Sequence, residues 1–253
     1  MNRCAALDVT VSVISHGHGE HVIRLMSRLE AICSSYVANV VLTINIPEAS
    51  LLDQINTQRW SFRLEIVQNI APAGYGANHN AAFKHCKTIY FCVLNPDIDF
   101  EVDPFPALIS RFDQITAGCA YPVQFDNSGQ HQDYARKVPS PAALIARYAG
   151  PAAELPLRVK PDWVNGAFML FKANVFRQLN GFDERYFMYC EDVDICLRLQ
   201  LAGYSLLQAD AKVTHIAHRN SRGNFRYLAW HVVSLLRLWS SSAYRKFSRS
   251  RLA

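Results

Sequence analysis

The chain has no acidic residue after Asp210, no Cys-x-x-Cys pair, and no apolar run approaching the roughly 18 residues that a membrane-spanning helix needs. Each absence excludes something. Without a spanning run, the chain is expected to be soluble or peripheral to a membrane. Seven scattered cysteines, an odd number without close pairs, argue against a disulfide framework or a zinc ribbon and predict reduced, buried thiols in a cytoplasmic protein. The opening residues, MNRCAALDVTVSVISHG, lack an apolar stretch ahead of a cleavage site, so no secretion signal is expected. Neither a Walker loop nor a G-x-G-x-x-G fingerprint occurs, which removes two common phosphate-binding devices.

The missing C-terminal acids divide the charge. The formal charge of the whole chain is +5, and nine basic residues lie after Asp210, so residues 1–210 carry a net −4. An acidic body with a basic end predicts that the end meets an anionic surface or phosphate. No nucleic-acid-binding module is recognisable, and no nucleic-acid partner is expected. Half of the residues are hydrophobic, enough for a sizeable core in a chain of this length.

Short β-branched runs alternate with helical patterns. VTVSVIS (9–15), VANVVLTINI (37–46) and FRLEIVQN (62–69) read as strands, with helices expected over about 19–33 and within 47–60. TIYFCVLNPDIDF (88–100) reads as one buried strand that ends abruptly at Asn95-Pro96-Asp97. Further helices are expected at 105–113, 142–148 and 173–179, and strands at AGCAYPVQF, AFMLF and 212–216. This alternation predicts an α/β fold with a mainly parallel central sheet. The last stretch, from Phe225, is helical at least to Trp239, with aromatic and basic residues that suit a membrane interface and equally suit packing on the core.

Candidate chemistry collects at strand ends, where open α/β sheets bind ligands. His16 and His18 follow the first strand and are candidates for a nucleotide or a metal. In GYGANHN, Gly74 and Gly76 allow close backbone approach to a ligand, and Asn78 and Asn80 open a helix. Asp97 and Asp99, with one residue between them, suit a hard cation bridging a diphosphate. His215 or His218 would complete such a site. Arg136, in a polar loop, is a candidate phosphate contact. GFDERYFMYCEDVDICLRLQLAGY (181–204) sets Asp183, Glu184, Glu191 and Asp192 beside Phe182, Tyr186, Phe187 and Tyr189, while Asp194 fits a helix-capping acid.

Together SHGH (15–18), GYGANHN (74–80), LNPDI (94–98), DWVNGAFML (162–170), the 181–204 stretch and THIAHRNS (214–221) resemble the inverting glycosyltransferases of family 2, and among them the O-antigen rhamnosyltransferases. The resemblance implies a GT-A fold, a Rossmann-like sheet with flanking helices, over 1–224. A nucleotide-binding part would cover about 1–100 and an acceptor-binding part 101–224, with a basic amphipathic helical segment at 225–253. It implies Asp192 as catalytic base with Glu191 orienting it. Ser15, His16, Asn45, Gly76, Asn78, Asn80, Asn95 and Asp97 would hold the nucleotide sugar. Asp97, Asp99 and His215 or His218 would hold Mg²⁺ or Mn²⁺. Trp163, Asn165, Asp183 and Arg136 would line the acceptor side. Asn95 stands where the fuller Asp-x-Asp motif has its first acid, a departure that Asp99 is expected to offset. The implied donor is dTDP-L-rhamnose, and the acceptor an N-acetylglucosamine on a polyprenyl diphosphate at the inner face of the bacterial membrane. On this reading the tail is a surface anchor, dispensable for turnover of a soluble acceptor. The rival is a nucleotide-sugar or polysaccharide binder without chemistry.

Overall fold

The computed structural model describes residues 7–138, 160–216 and 225–251. The expected helix at 142–148 and the candidate ligand His218 lie outside the described residues.

An eight-stranded sheet with the order β3-β2-β1-β4-β9-β6-β10-β5 forms the centre. Its strands are β1 (Val9–Ser15), β2 (Val37–Ile44), β3 (Arg63–Gln68), β4 (Tyr90–Leu94), β5 (Ile98–Asp99), β6 (Ala117–Phe125), β9 (Phe168–Lys172) and β10 (Ser205–His215). The first half is parallel throughout, β1 lying between β2 and β4 and β3 extending β2. β9 then enters antiparallel between β4 and β6. A short ribbon, β7 (Ala135–Arg136) with β8 (Trp163–Val164), stands apart.

β1 and β4 are buried at every position because helices cover both faces, which is why these strands read as continuous apolar runs and not as alternation. Alternate residues nonetheless divide between the faces. Tyr90, Cys92 and Leu94 join one core with α1 (Gly19–Cys33), α2 (Ala49–Asn56) and α4 (Phe105–Ser110). Phe91 and Val93 join a second core under α3 (Tyr75–Phe83), α5 (Ala173–Gln178) and α6 (Glu191–Leu201).

Two expectations change. The stretch 88–100 is two strands, because Pro96 cannot donate to a ladder and the Ile98 N–H closes a turn onto Asn95 O. β10 is longer than the expected 212–216 and carries a register irregularity between Gln208 and Lys212. The C-terminal helices α7 (Phe225–Ser240) and α8 (Ser242–Ser250) lie against the body of the protein. Leu235, Leu238, Ala243 and Phe247 form a third apolar cluster with Tyr186, Cys190, Val193 and Leu197.

Candidate active site

The parallel strands place their C-terminal ends side by side, so that Ser15, Asn45 and Asn95 mark one edge of the sheet. His16 and His18 are exposed there. Desolvation lowers the pKa of His18, opposed by the nearby charge of Asp97. The loop after β1 and the turn after β4 therefore face one another.

Asp97 sits on that turn with His215 at the end of β10. The Nε2 of His215 is 3.4 Å from Oδ2 of Asp97. Gln132 orients the ring: its Nε2–H donates to His215 O at 2.8 Å, which leaves its Oε1 to accept from Nδ1 of His215 at 2.9 Å. In the neutral imidazole this fixes the hydrogen on Nδ1, and the Nε2 lone pair then faces a carboxylate. Oδ1 of Asp97 is buried and has no partner among the described residues. Burial raises the Asp97 pKa, but the charge of a protonated His215, and the hydrogen bond its Nε2–H then donates, outweigh it, and the net shift is downward. Two acceptors facing each other, one of them held by an outer amide, are a suitable donor set for a proton or a hard cation. Among the described residues no group of three or more His, Cys, Asp or Glu side chains could hold a metal ion. A cation bound here would take its remaining ligands from a diphosphate and water, as Mg²⁺ commonly does.

Glu191 and Asp192 begin α6. Asp192 Oδ1 accepts from the Val193 N–H at 2.8 Å and Oδ2 from the Gly166 N–H at 3.3 Å. Burial pushes its pKa up to about 6, against those two hydrogen bonds and the positive charge of Arg136. Glu191 is 6% exposed, its Oε2 has no partner among the described residues, and burial together with the charge of Asp192 raises its pKa well above the usual carboxylate range. Desolvation thus sets the character of both acids. The preceding residues, Tyr189 and Cys190, hold φ of +71° and +66°, a left-handed pair without glycine. Such strain persists where the surroundings over-determine it and is frequent at functional sites.

Tyr75, at the first position of α3, links the two halves. Its hydroxyl is 2.7 Å from Gly166 O and 3.0 Å from Asn95 Oδ1. Burial, then the charges of Glu191, Asp192 and Asp97, raise its pKa well above that of an ordinary phenol. One hydroxyl therefore lies within electrostatic reach of all three candidate acids. Arg136 lies over the ring of Trp163, 5.5 Å from its centroid, and also pairs with Asp133 at 2.8 Å. Trp163 donates from Nε1 to Lys137 O.

Several expected ligand contacts have internal partners instead. The Asn45 amide bonds the backbone of Ala73 in both directions and reaches Asn69 and His16. Asn78, 2% exposed, bonds Asn69 and Ala73 O. These two asparagines shape the loop from Asn69 to Gly74. Asn80 fastens α3 to the 181–184 stretch through Phe182 and Glu184. Gly76 is a packing glycine, since a Cβ there would come within 2.6 Å of Phe182 Cβ. Asn165 makes a two-bond amide pair with Gln124. Asp183 is held by Arg185, whose hydrogen bonds keep its carboxyl below the usual range. Asp99 accepts from Arg24 and from Arg28, so its carboxylate is engaged by two guanidinium groups. Asp194 lies in the first turn of α6, as expected of an acid that complements the helix dipole, and is also buried and paired with Arg198 at 2.6 Å. Ser15 is buried at the end of β1, its Oγ 3.4 Å from the His18 N–H.

Sequence reasoning missed Tyr75 and Gln132. Tyr75 stands between two glycines already singled out and was legible as a side chain at that helix start. Gln132 has no local signal, because it acts across 83 positions.

The family described as "N-terminal domain of galactosyltransferase" matches residues 156–220. The rhamnosyltransferase WbbL of Escherichia coli is 31% identical over 247 residues, covering 90% of this chain and 91% of that protein. The N-acetylglucosaminyl-diphospho-decaprenol L-rhamnosyltransferase of Mycobacterium tuberculosis is 28% identical, covering 87% of this chain and 80% of the relative. Among solved structures, GalNAc-T7 with UDP, GalNAc and Mn²⁺ superposes with a TM-score of 0.68 at 16% identity, over 86% of this chain. The chain spans 45% of the length of that structure, a likeness of fold.

Proposed function

Because the chain belongs to the family of GT-A glycosyltransferases that includes the rhamnosyltransferase WbbL, we propose that it moves L-rhamnose from dTDP-L-rhamnose, with inversion, onto an N-acetylglucosamine carried by a polyprenyl diphosphate, in the synthesis of O-antigen or another cell-surface polysaccharide. The observation that carries this reading is Asp192. A carboxylate with pKa near 6, enclosed and held on two backbone N–H groups, is poised to take a proton near neutral pH. It accepts the proton of an acceptor hydroxyl as that oxygen attacks the anomeric carbon; the bond from that carbon to the leaving diphosphate breaks in the same displacement. Glu191 is its buried neighbour, whose own pKa is raised by burial and by the charge of Asp192. Trp163 and Arg136 flank the acceptor side, the ring offering a flat face to a sugar and the guanidinium a contact for phosphate.

Asp97 and His215 are the residues that would hold Mg²⁺ or Mn²⁺, and such an ion would offset the negative charge gathering on the departing nucleoside diphosphate. Asn95 Oδ1 accepts from the Tyr75 hydroxyl and so fixes the turn beside the leaving group. Ser15, His16 and His18 line the edge on which the nucleotide would lie.

The basic C-terminal segment supports a peripheral position on the cytoplasmic face of the membrane. Among the described residues no helix is long and apolar enough to cross a bilayer. The outward face of α7 presents Phe225, Leu228, Val232, Val233 and Leu236, all exposed. Arg245, Lys246 and Arg249 are exposed on α8.

The test is a panel of nucleotide sugars with Mn²⁺ and a short N-acetylglucosaminyl diphosphate acceptor, with the anomeric configuration of the product read by NMR. Transfer from dTDP-L-rhamnose with inversion is expected. Preference for a uridine donor would overturn the choice of sugar, and binding without any transfer would favour the non-catalytic reading.

A further inference from the structure

The turn that carries the catalytic pair is bonded residue by residue to the C-terminal helix. Trp230 packs on Phe187 with ring centroids 4.8 Å apart. Ser234 donates from Oγ to Met188 O at 2.8 Å. His231 meets Tyr189 edge-on at 5.0 Å. Arg237 lies over the ring of Tyr186, and Cys190 is buried with Leu235 and Leu238. These contacts fall at positions 230, 231, 234, 235 and 238, the inner stripe of a helix with period 3.6. The turn is held from its other side by the start of α3. The Tyr75 N–H donates to Phe187 O at 2.9 Å, and a Cβ on Gly74 would come within 2.8 Å of that same oxygen. The turn is thus held between α3, at Phe187, and α7, which meets the left-handed pair Tyr189-Cys190 itself, and Glu191 and Asp192 follow that pair directly.

We infer that α7 is a brace for the catalytic turn: Trp230 and Ser234 are positioning residues that hold Phe187–Cys190 in the conformation aiming Asp192 at the acceptor. The inference rests on Asp192 being the base. Without α7 the contacts of Trp230, His231, Ser234, Leu235 and Leu238 that oppose relaxation of these two left-handed non-glycine residues are lost, and the start of α6 would turn with them. The helix that presents an apolar face outward is, by its inner face, part of the active site. Removal of residues 225–253 would therefore abolish turnover on a soluble acceptor as well as on a membrane-borne one, in contrast to the expectation from sequence that the segment is dispensable for the chemistry.

The experiment compares Ser234→Ala, Trp230→Ala and Trp230→Phe in the full chain. Ser234→Ala removes one hydroxyl and leaves the helix intact, so it decides the matter if Trp230→Ala does not fold. With a soluble acceptor, kcat is expected to fall tenfold or more while the donor KM stays within twofold. The acid limb of the pH–rate profile is expected to move, and Trp230→Phe to recover most of the loss. Hydrogen exchange at the Tyr75 and Asp194 amides, which bond Phe187 O and Cys190 O, is expected to quicken in both alanine variants. Folded alanine variants with unchanged kcat and an unchanged acid limb overturn the brace, whatever their melting temperature. If the wild-type chain transfers no sugar, the proposed function falls by itself; the exchange rates then decide, quicker exchange upholding the brace and unchanged exchange overturning it.

Discussion

Nε2 of His215 and Oδ2 of Asp97 face each other across 3.4 Å, brought together from a strand end and a turn far apart in sequence, with Gln132 holding the far side of the imidazole. If a divalent cation binds between them, Gln132 belongs to its outer shell, since it fixes which ring nitrogen is free. Gln132→Ala is then expected to weaken Mn²⁺-dependent donor binding by about 10–100-fold, the usual cost of an outer-shell partner. His215→Ala should weaken it further. Donor-induced thermal stabilisation, titrated with and without Mn²⁺, measures this; a saturating donor at 100 times its Kd should contribute about 2.7 kcal/mol. Stabilisation independent of Mn²⁺ in the wild-type chain would sink the assignment.

If Asp192 is the base, its pKa, pushed by burial up to about 6, means that the rate should fall as pH drops through that value, because the carboxylate is then protonated. The pair's stability effect has the opposite sign. A carboxyl whose pKa is raised on folding binds its proton more tightly in the folded state, so stability is lost as pH rises from about 4 through 6. Asp192→Asn is therefore expected to lower kcat by about 10²–10⁴-fold. The same change should raise stability at pH 7–8 by about 1–3 kcal/mol. It should leave donor binding in place. Rate profiles and urea denaturation at pH 5 and 8 check both signs. An active Asp192→Asn variant would remove Asp192 from the mechanism.

Gly76→Ala separates packing from ligand contact. Alanine ordinarily favours a helix over glycine by about 0.5–1 kcal/mol. Here the new Cβ would meet the buried Phe182 Cβ at 2.6 Å, an atom next to the backbone that cannot swing away. Overpacking of about 1–3 kcal/mol should win and lower the melting temperature. A stable variant that binds donor poorly would return Gly76 to the nucleotide site.

The strands and their parallel direction in the first half were legible because continuous apolar runs and period-3.6 patterns are local. Asp97, Asp192 and His215 were legible as acids and a histidine at element ends. What the sequence does not reveal is which polar group meets which. Asn45, Asn78, Asn80 and Asn165 have the chemistry of ligand contacts, yet their amides also close on backbone and on other side chains across 5 to 102 positions. The same blindness hid Arg24 and Arg28, which occupy Asp99 from α1, and Gln132, which orients His215. An amide or a guanidinium reaching across the fold leaves no periodicity to read. The C-terminal segment shows the complementary case. Its amphipathic pattern is plain, but which face is covered depends on α6 and the turn before it.

That covered face leaves the other one to be explained. On α7, Phe225, Leu228, Val232, Val233 and Leu236 are exposed between 47% and 88%, an apolar stripe beside the basic residues of α8. A bilayer interface with anionic lipid suits both, the stripe by burial and each basic residue by about 1 kcal/mol near the charged surface. Leu228→Glu with Leu236→Glu is expected to abolish sedimentation with anionic vesicles. Arg245→Glu with Lys246→Glu and Arg249→Glu should remove the preference for anionic over zwitterionic vesicles. Neither set touches the inner stripe, so turnover on a soluble acceptor should be retained while turnover on a bilayer-borne lipid diphosphate falls at least tenfold. If the stripe instead covers a second copy of the chain, light scattering will show a dimer that Leu228→Glu splits, and vesicle binding will be absent from the wild-type protein.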